Sequence, residues 1–470
     1  MRKFQSALLA GAIVLLTQAQ GQVMDRTKPP KTSELPAYKL PPVVETRLAN
    51  GLQVLLVEDK RFPIVTARLG FEAGSKFDPQ DLPGLSETTG ALLTEGTATR
   101  SSRQIAEEMA AIGGSLNASS SPDSLLLAGS ALSENLPKLI ELLADVTRHA
   151  SFPEDEVALR KQNRKQELAA ARSEAAYLAD EKFDQVVFAP HPYSRQDPTP
   201  QSIDKVTRAA LVAFRDGHLA PNNAVLVLLG ALPPKAEVLK LVEARFGDWA
   251  KKDTPAPPAA KFPEAKKSIV LVDRPGSVQA DIRIGRIAVT RADQDYFPLL
   301  VANTILGGGT ASRIFANIRE KQGFAYDAHS SAIALRDSGT FDVVTQVRNE
   351  VLAPALEAAF HEMREIGAKD VSPEELATAK NYLSGIFVMR IETLDGLAGQ
   401  IAATRMMGLP LTYMEQYTTR VRSVEPAALR AAAAKYTSPD AAAVIVVGDA
   451  KAIQAPLEKL GPVAVVKAEE

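Results

Sequence analysis

The 470-residue sequence contains no cysteine, one tryptophan and five histidines. The first absence excludes disulfides, thiolate metal ligands, cysteine nucleophiles and lipidation at a cysteine. Histidine is not only scarce but scattered, at His149, His191, His218, His329 and His361. No two lie within one helical turn, so a local helix-borne zinc motif, which needs neighbouring imidazoles at i and i+4, is excluded. A dominant charge is missing as well: the net charge is −2 and 23% of residues are charged. Long runs of one sign are absent, and nothing favours nucleic acid or an anionic membrane surface as a partner. LGGG at 306–309 lacks the Gly-Lys-Ser/Thr ending of a phosphate loop and reads instead as a flexible hinge. No serine sits in a nucleophile-elbow motif.

What is present begins with a basic Arg2-Lys3 pair, an apolar run from Ala7 to Leu16, and small residues at Ala19 and Gly21. The run is too short to span a bilayer comfortably, and the pattern predicts a signal peptide over 1–22. Export to a bacterial periplasm is the expected localisation, with no stable membrane span after signal removal. Residues 23–37 are rich in Pro, Lys and Thr and are expected to be disordered. The length is too great for one hydrophobic core, so two or more domains are expected.

Several elements are legible. Asn50-Gly51 is a hairpin signal between Thr46–Leu48 and Leu52–Val57. Ile64–Ala73 and Asn223–Leu232 read as strands. SSRQIAEEMAAIGG opens on a Ser cap, carries Ile105, Met109 and Ile112 on one face and stops at Gly113. Leu136, Leu139, Ile140, Leu143 and Val146 recur with helical period, and a polar-faced helix is predicted from Glu154 past Ala170. Residues 251–267, KKDTPAPPAAKFPEAKK, read as a linker. Beyond it the pattern returns. VTRAAL (206–211) matches VEPAAL (424–429), Pro221 matches Pro439, and VLLG (227–230) matches IVVG (445–448), all at an offset of 218. PEDEVALRKQN (153–163) matches PEELATAKNY (373–382) at an offset of 220. Four matches in order indicate a duplication. The expected fold is α+β: two tandem homologous domains, 38–250 and 268–470. Each is a mostly antiparallel sheet with helices packed on one face, and the pair forms a clam-like cavity.

Chemistry centres on GLSETTGALLTEGT, 84–97. That stretch, with NGLQVLLVEDKRFPIV, EAGSK, GGSLNASSSPDS, FAPHPYSR, VDRPGSVQADIRIG and LGGGTASRIFANIREKQGFAYDAHSS, resembles the pitrilysin/insulinase family of zinc peptidases, which includes mitochondrial processing peptidase. The resemblance runs from about Tyr38 to the C-terminus. It implies that residues 87–91 align with the family's H-x-x-E-H. Here Glu87, Gly90 and Ala91 occupy the two His positions and the catalytic Glu position, so the motif is degenerate and this chain is expected to bind no metal. Glu167 falls where the family's distal Glu ligand lies and survives without its partners. A lone carboxylate cannot replace two imidazoles. Gly90, inside a predicted helix, has no explanation in the sequence.

The second half reads differently. In SRIFANIREKQGFAYDAHSS, Ser312 is placed to cap a helix with Ile314, Phe315 and Ile318 on its apolar face, and Gly323 to end it before a strand. Arg319 and Tyr326 flank that corner. The resemblance implies that this Arg–Tyr pair holds the substrate backbone and stabilises the oxyanion of hydrolysis, roles suited to a fixed positive fork and a directed phenol donor. It further implies that GGSLNASSSPDS forms an edge strand to which a peptide adds, through Asn117, Ala118, Ser119 and Ser120. The expected function is therefore the non-zinc subunit of a heteromeric metallopeptidase. Arg319 and Tyr326 would act in trans on a peptide substrate, with zinc carried by a homologous H-x-x-E-H partner. The alternative is a non-enzymatic peptide-binding or assembly scaffold of the same fold.

Overall fold

The computed structural model describes residues 38–195, 197–256 and 261–468. The expected signal peptide and the stretch at 23–37 lie outside the described residues, as do residues 257–260 of the expected linker. The described linker residues form no helix or strand, and Phe262 stacks on His191 with ring centroids 4.3 Å apart.

The first sheet starts where the turn signal places it. Gly51, at φ 96°, lets the chain reverse between β1 (Val43–Arg47) and β2 (Gln53–Glu58). With β3 (Ile64–Phe71), β4 (Ser115–Ser120), β5 (Leu125–Leu132) and β6 (Ala224–Gly230), these strands lie in the order β1-β2-β6-β3-β5-β4. Only β2 and β6 pair in parallel. The second sheet, from β7 (Ser268–Asp273), β8 (Gln279–Ala288), β9 (Ala325–Ala334), β10 (Gly339–Arg348), β11 (Ala443–Gly448) and β12 (Val463–Lys467), has the order β12-β7-β11-β8-β10-β9. The five strands β2-β6-β3-β5-β4 correspond to β7-β11-β8-β10-β9, as a duplication requires. The sixth strand differs in origin. β1 enters ahead of its unit and pairs antiparallel, whereas β12 follows its unit and pairs parallel.

The helices that matter here are α1 (Leu85–Leu92), α2 (Ser102–Ala111), α3 (Leu136–His149), α4 (Glu154–Arg172) and α5 (Ala175–Phe188) in the first half. In the second they are α6 (Tyr296–Leu306), α7 (Leu352–Ala368), α8 (Pro373–Arg390), α9 (Leu394–Met406) and α10 (Pro426–Tyr436). Ser101 and Gln104 close a capping box on α2, and Gly113 follows it at φ 62°. Leu139, Ile140, Leu143 and Val146 of α3 pack on the same face of the first sheet as Val54, Leu56, Leu226 and Leu228.

The opposite face is apolar too, since β2 and β6 are continuous hydrophobic runs rather than alternating ones. Leu55, Val57, Val227 and Leu229 are buried there against Leu397, Ala398, Ile401 and Ala402 of α9, a helix of the other half. The exchange is reciprocal. Ala175, Leu178 and Ala179 of α5 meet Val272 and Val447 of the second sheet, and Phe183 and Val187 meet Ala443 and Ile445. Each sheet thus carries its own helices on one face, as expected, and a borrowed helix on the other, which the sequence pattern did not reveal. The resulting fold is α+β, two homologous domains in a clam-like pair.

Matching ion pairs lock the borrowed helices. Asp395 of α9 accepts from Thr66 at 2.7 Å and pairs with Arg68 at 3.0 Å. Asp180 of α5 accepts from Arg283 Nε at 2.5 Å. A third lock is charged and deeply buried. Lys76, 1% exposed, lies 3.1 Å from Asp123, 3.0 Å from Asp337 and 3.5 Å from Glu72. Asp123 sits in the β4–β5 turn and Asp337 in the β9–β10 turn, so one ammonium joins the hairpin tips of the two halves. Tyr193 donates to Asp123, Asp123 accepts from the Arg336 backbone N–H at 2.8 Å, and Arg336 pairs with Glu72 at 3.2 Å.

Removing the Lys76 charge leaves three partly buried carboxylates facing one another. Lys76→Ala is expected to destabilise the chain by about 3–5 kcal/mol, read as a lower urea midpoint. Burial also raises the carboxyl of Asp184, on α5, to about 8 and that of Asp342, on β10, to about 6. Both bind protons in the folded chain that the unfolded chain has released. Their contribution to stability is complete below the ordinary aspartate range, about 4, and is lost as pH rises through 6 and then 8. Asp184→Asn should therefore flatten the fall in urea midpoint between about pH 5 and 8.

Candidate functional site

The helix that carries the degenerate frame is α1. Asp78 holds its start, accepting from the backbone N–H groups of Gly84 and Ser86 at 2.8 Å each. Thr88 and Thr89 are buried and donate to the carbonyls of Gly84 and Leu85. One side of α1 lies on β4: Ser120 donates to Ser86 at 3.2 Å. At Gly90 an added Cβ would stand 3.7 Å from the backbone of Ser119 and Ser120 and 3.7 Å from Leu125. These are ordinary contact distances, so neither crowding nor backbone conformation requires glycine there.

On its other side α1 faces α4. Glu87 and Glu167 come together there, joined by two arginines of α4. Arg160 reaches Glu87 Oε1 at 2.8 Å and Glu167 Oε1 at 3.0 Å. Arg164 reaches Glu87 Oε2 at 3.0 Å and Glu167 Oε2 at 3.6 Å. Each guanidinium spends its two terminal nitrogens on two carboxylates, and each carboxylate uses both oxygens. The arginines are about one-fifth exposed, which separates them from freely solvated surface pairs.

The donor set does not fit zinc. Its two carboxylates are already neutralised, and no imidazole is near. His149 bonds to Asp145, His191 stacks on Phe262, His218 lies between Phe77 and Phe214, His329 bonds to Asp327, and His361 is on α7. Among the described residues no group of three or more His, Asp or Glu side chains is placed to hold a metal. A cation at this position would also meet two fixed positive charges. Unit charges ~4 Å apart at an effective dielectric of ~20 repel by about 4 kcal/mol.

The second cluster lies in the other half. Residues Phe315–Lys321 form a π-helix rather than the α-helix expected. Its wide turn is visible in the bond from Gln322 N–H to the Asn317 carbonyl, 3.0 Å. Gly323 ends it at φ 64°, as expected. Ser312 does not cap it: its hydroxyl is buried without a partner. The corner brings Arg319 and Tyr326 together, the guanidinium carbon 4.6 Å from the Tyr326 ring centroid and 4.8 Å from that of Phe315. Tyr326 is 85% exposed at the start of edge strand β9. Among the described residues no ion pair or side-chain hydrogen bond engages Arg319 or the Tyr326 hydroxyl, and Glu320 does not take up the arginine. A cavity of about 260 Å³ is lined by Gly308, Thr310, Phe315, Asp327 and His329 among others, and neither Arg319 nor Tyr326 lines it. Of the glycine run beside it, Gly307 and Gly308 are packed, while Gly309 faces open space. A Cβ on Gly307 would lie 2.3 Å from Ser330 N, and one on Gly308 2.6 Å from Thr304 Cα.

Asn117, Ala118, Ser119 and Ser120 lie on β4, which pairs only with β5 and is an edge of its sheet. Asn117 and Ser119 are exposed, Ala118 and Ser120 half-buried. No contact among the described residues links Arg319 or Tyr326 to the Glu87 group. The residues missed from sequence are Arg160 and Arg164, although R-x3-R-x2-E on one helix face was a legible signal.

The duplicated α+β unit, with a degenerate ligand frame on one half and an Arg–Tyr corner on the other, places the chain in the class of two-domain peptidase-family folds. Residues 53–196 match the family model described as insulinase (peptidase family M16), and 205–383 that described as peptidase M16 inactive domain. The chain belongs to the pitrilysin/insulinase family. An uncharacterised zinc protease of Streptomyces coelicolor is 25% identical over 398 residues, 83% of this chain and 86% of that protein. One from Rickettsia bellii is 27% identical over 347 residues, 72% and 81%. A solved peptidase M16 inactive domain from Pseudomonas fluorescens matches with TM-score 0.81 and 27% identity over 87% of this chain and 98% of that one. A protease from Helicobacter pylori shares the fold, with TM-score 0.76 and 20% identity over 87% and 100%.

Because Gly90 is helical and uncrowded, Gly90→Ala should stabilise the chain by about 0.5–1 kcal/mol, measured by urea unfolding.

Proposed function

We propose that this chain is the non-zinc subunit of a heteromeric zinc peptidase, exported to the periplasm, and that it serves a homologous partner carrying H-x-x-E-H. One observation carries this reading. Glu87 and Glu167 are paired with Arg160 and Arg164, while Arg319 and Tyr326 lie together with Tyr326 exposed. A guanidinium and a phenol so placed suit a peptide carbonyl: the first supplies permanent positive charge, the second one directed donor. Both act where an oxyanion develops, in which preorganised donors contribute most. Bound in the partner, zinc would supply the activated water. The open edge of β4 supports peptide binding by strand addition, with Asn117 and Ser119 accessible beside it.

The test is reconstitution. The chain alone should hydrolyse no peptide, and co-purification with an H-x-x-E-H homologue from the native host should yield turnover. In that complex Arg319→Ala or Tyr326→Phe should lower kcat by about 10²–10³-fold with an unchanged melting temperature. Unchanged turnover in both variants removes the assigned role. Stable peptide binding without turnover in any combination would instead favour a scaffold.

A further inference from the structure

We infer that Arg160 and Arg164 are a built-in replacement for the metal. They tie α1 to α4 through the carboxylates at two inherited ligand positions, and they close the site to any cation. The geometry is that of a closed ring. Arg160 donates to Glu87 Oε1 at 2.8 Å and to Glu167 Oε1 at 3.0 Å and Oε2 at 3.4 Å, while Arg164 pairs with Glu87 Oε2 at 3.0 Å and more loosely with Glu167 Oε2 at 3.6 Å. All four carboxylate oxygens already face a guanidinium, and the formal charges of the four side chains cancel.

Arg160 and Arg164 are one helical turn apart, so both forks project from the same face of α4. Each Nε is buried without a partner. Both arginines thus give up one donor to aim their terminal nitrogens at Glu87 and Glu167, which marks the ring as a committed arrangement rather than a passing surface contact. Glu87 lies on α1, and Arg160, Arg164 and Glu167 lie on α4, so the ring spans the junction a metal would otherwise hold. The inference concerns this junction alone and stands whether or not the chain has a zinc-bearing partner.

It separates two causes of metal loss. If the missing imidazoles were the whole cause, Glu87→His, Gly90→Glu and Ala91→His would restore a zinc site. If the arginines also close it, those three substitutions are insufficient until Arg160 and Arg164 are removed. The full chain is therefore compared as the triple variant and as a five-fold variant that adds Arg160→Ala and Arg164→Ala. Each is titrated with cobalt(II), whose visible absorption reports coordination, and zinc content is measured after dialysis. The triple variant should take up no stoichiometric metal, and the five-fold variant one equivalent per chain.

A second readout uses the otherwise native chain. Amide exchange across Leu85–Leu92 should quicken about tenfold in Arg160→Ala/Arg164→Ala, as local opening becomes easier. Lysines at both positions should not restore it, since an ammonium cannot fork. Circular dichroism and a cooperative melt qualify each variant as folded, and Gln replaces Ala at 160 and 164 should the Ala forms fail. Equal zinc affinity in the triple and five-fold variants overturns the inference. So does a folded five-fold variant that binds no metal, or exchange at α1 indifferent to both arginines.

Discussion

The architecture depends on one constraint: strands apolar on both faces must be covered twice. Leu55, Val57, Val227 and Leu229 are as buried as Val54, Leu56, Leu226 and Leu228, yet the first half's own helices reach only one side of its sheet. The second half has the same deficit at Val272, Ile445 and Val447. Exchanging α5 and α9 resolves both at once, so neither sheet is complete without the other half. The hydrophobic term drives the exchange, and its direction is set by polar groups. Arg68 and Arg283 project from equivalent places and each takes an aspartate from the borrowed helix.

Once the halves are interlocked, their hairpin tips must meet, and Lys76 sits at that meeting. A single ammonium among Glu72, Asp123 and Asp337 is unfavourable to bury unless every partner is in place. It therefore rewards one arrangement of the two halves and penalises others. The segments EAGSK, SPDS and HPY, separate in the sequence, converge here and build structure rather than a catalytic centre.

The same division between halves shapes the chemistry. In the first, α1 and α4 keep the frame of a metal site, and its charge requirement is met internally by guanidinium groups. In the second, a widened π-turn leaves Arg319 beside Tyr326 at the head of an edge strand. Ring contacts align the pair without consuming its donors. β4 and β9 are edge strands at corresponding ends of the two sheets. Among the described residues no group in the first half is placed to hold a metal, and in the second half Arg319 and Tyr326 contact each other through guanidinium and ring.

Much of this was legible residue by residue. Asn50-Gly51, the Ser101 cap, the periodic leucines of α3 and the 218-residue offset each specify structure through local backbone chemistry or short-range periodicity. The Arg319–Tyr326 approach was legible because only a few residues and a glycine separate them. Ser312 failed as a cap, and the 315–321 segment widened into a π-helix, because packing on the second core outweighed local preference. Gly307 and Gly308 answer to the close approach of Ser330 and Thr304, not to mobility. By itself the sequence determined the duplicated units, their elements and the loss of the zinc motif, all properties of neighbours along the chain. Only the tertiary structure decided which half covers which sheet, that one lysine joins both, and that two arginines pair with Glu87 and Glu167. Those outcomes turn on burial and charge between residues far apart in the chain, where no local pattern carries the information.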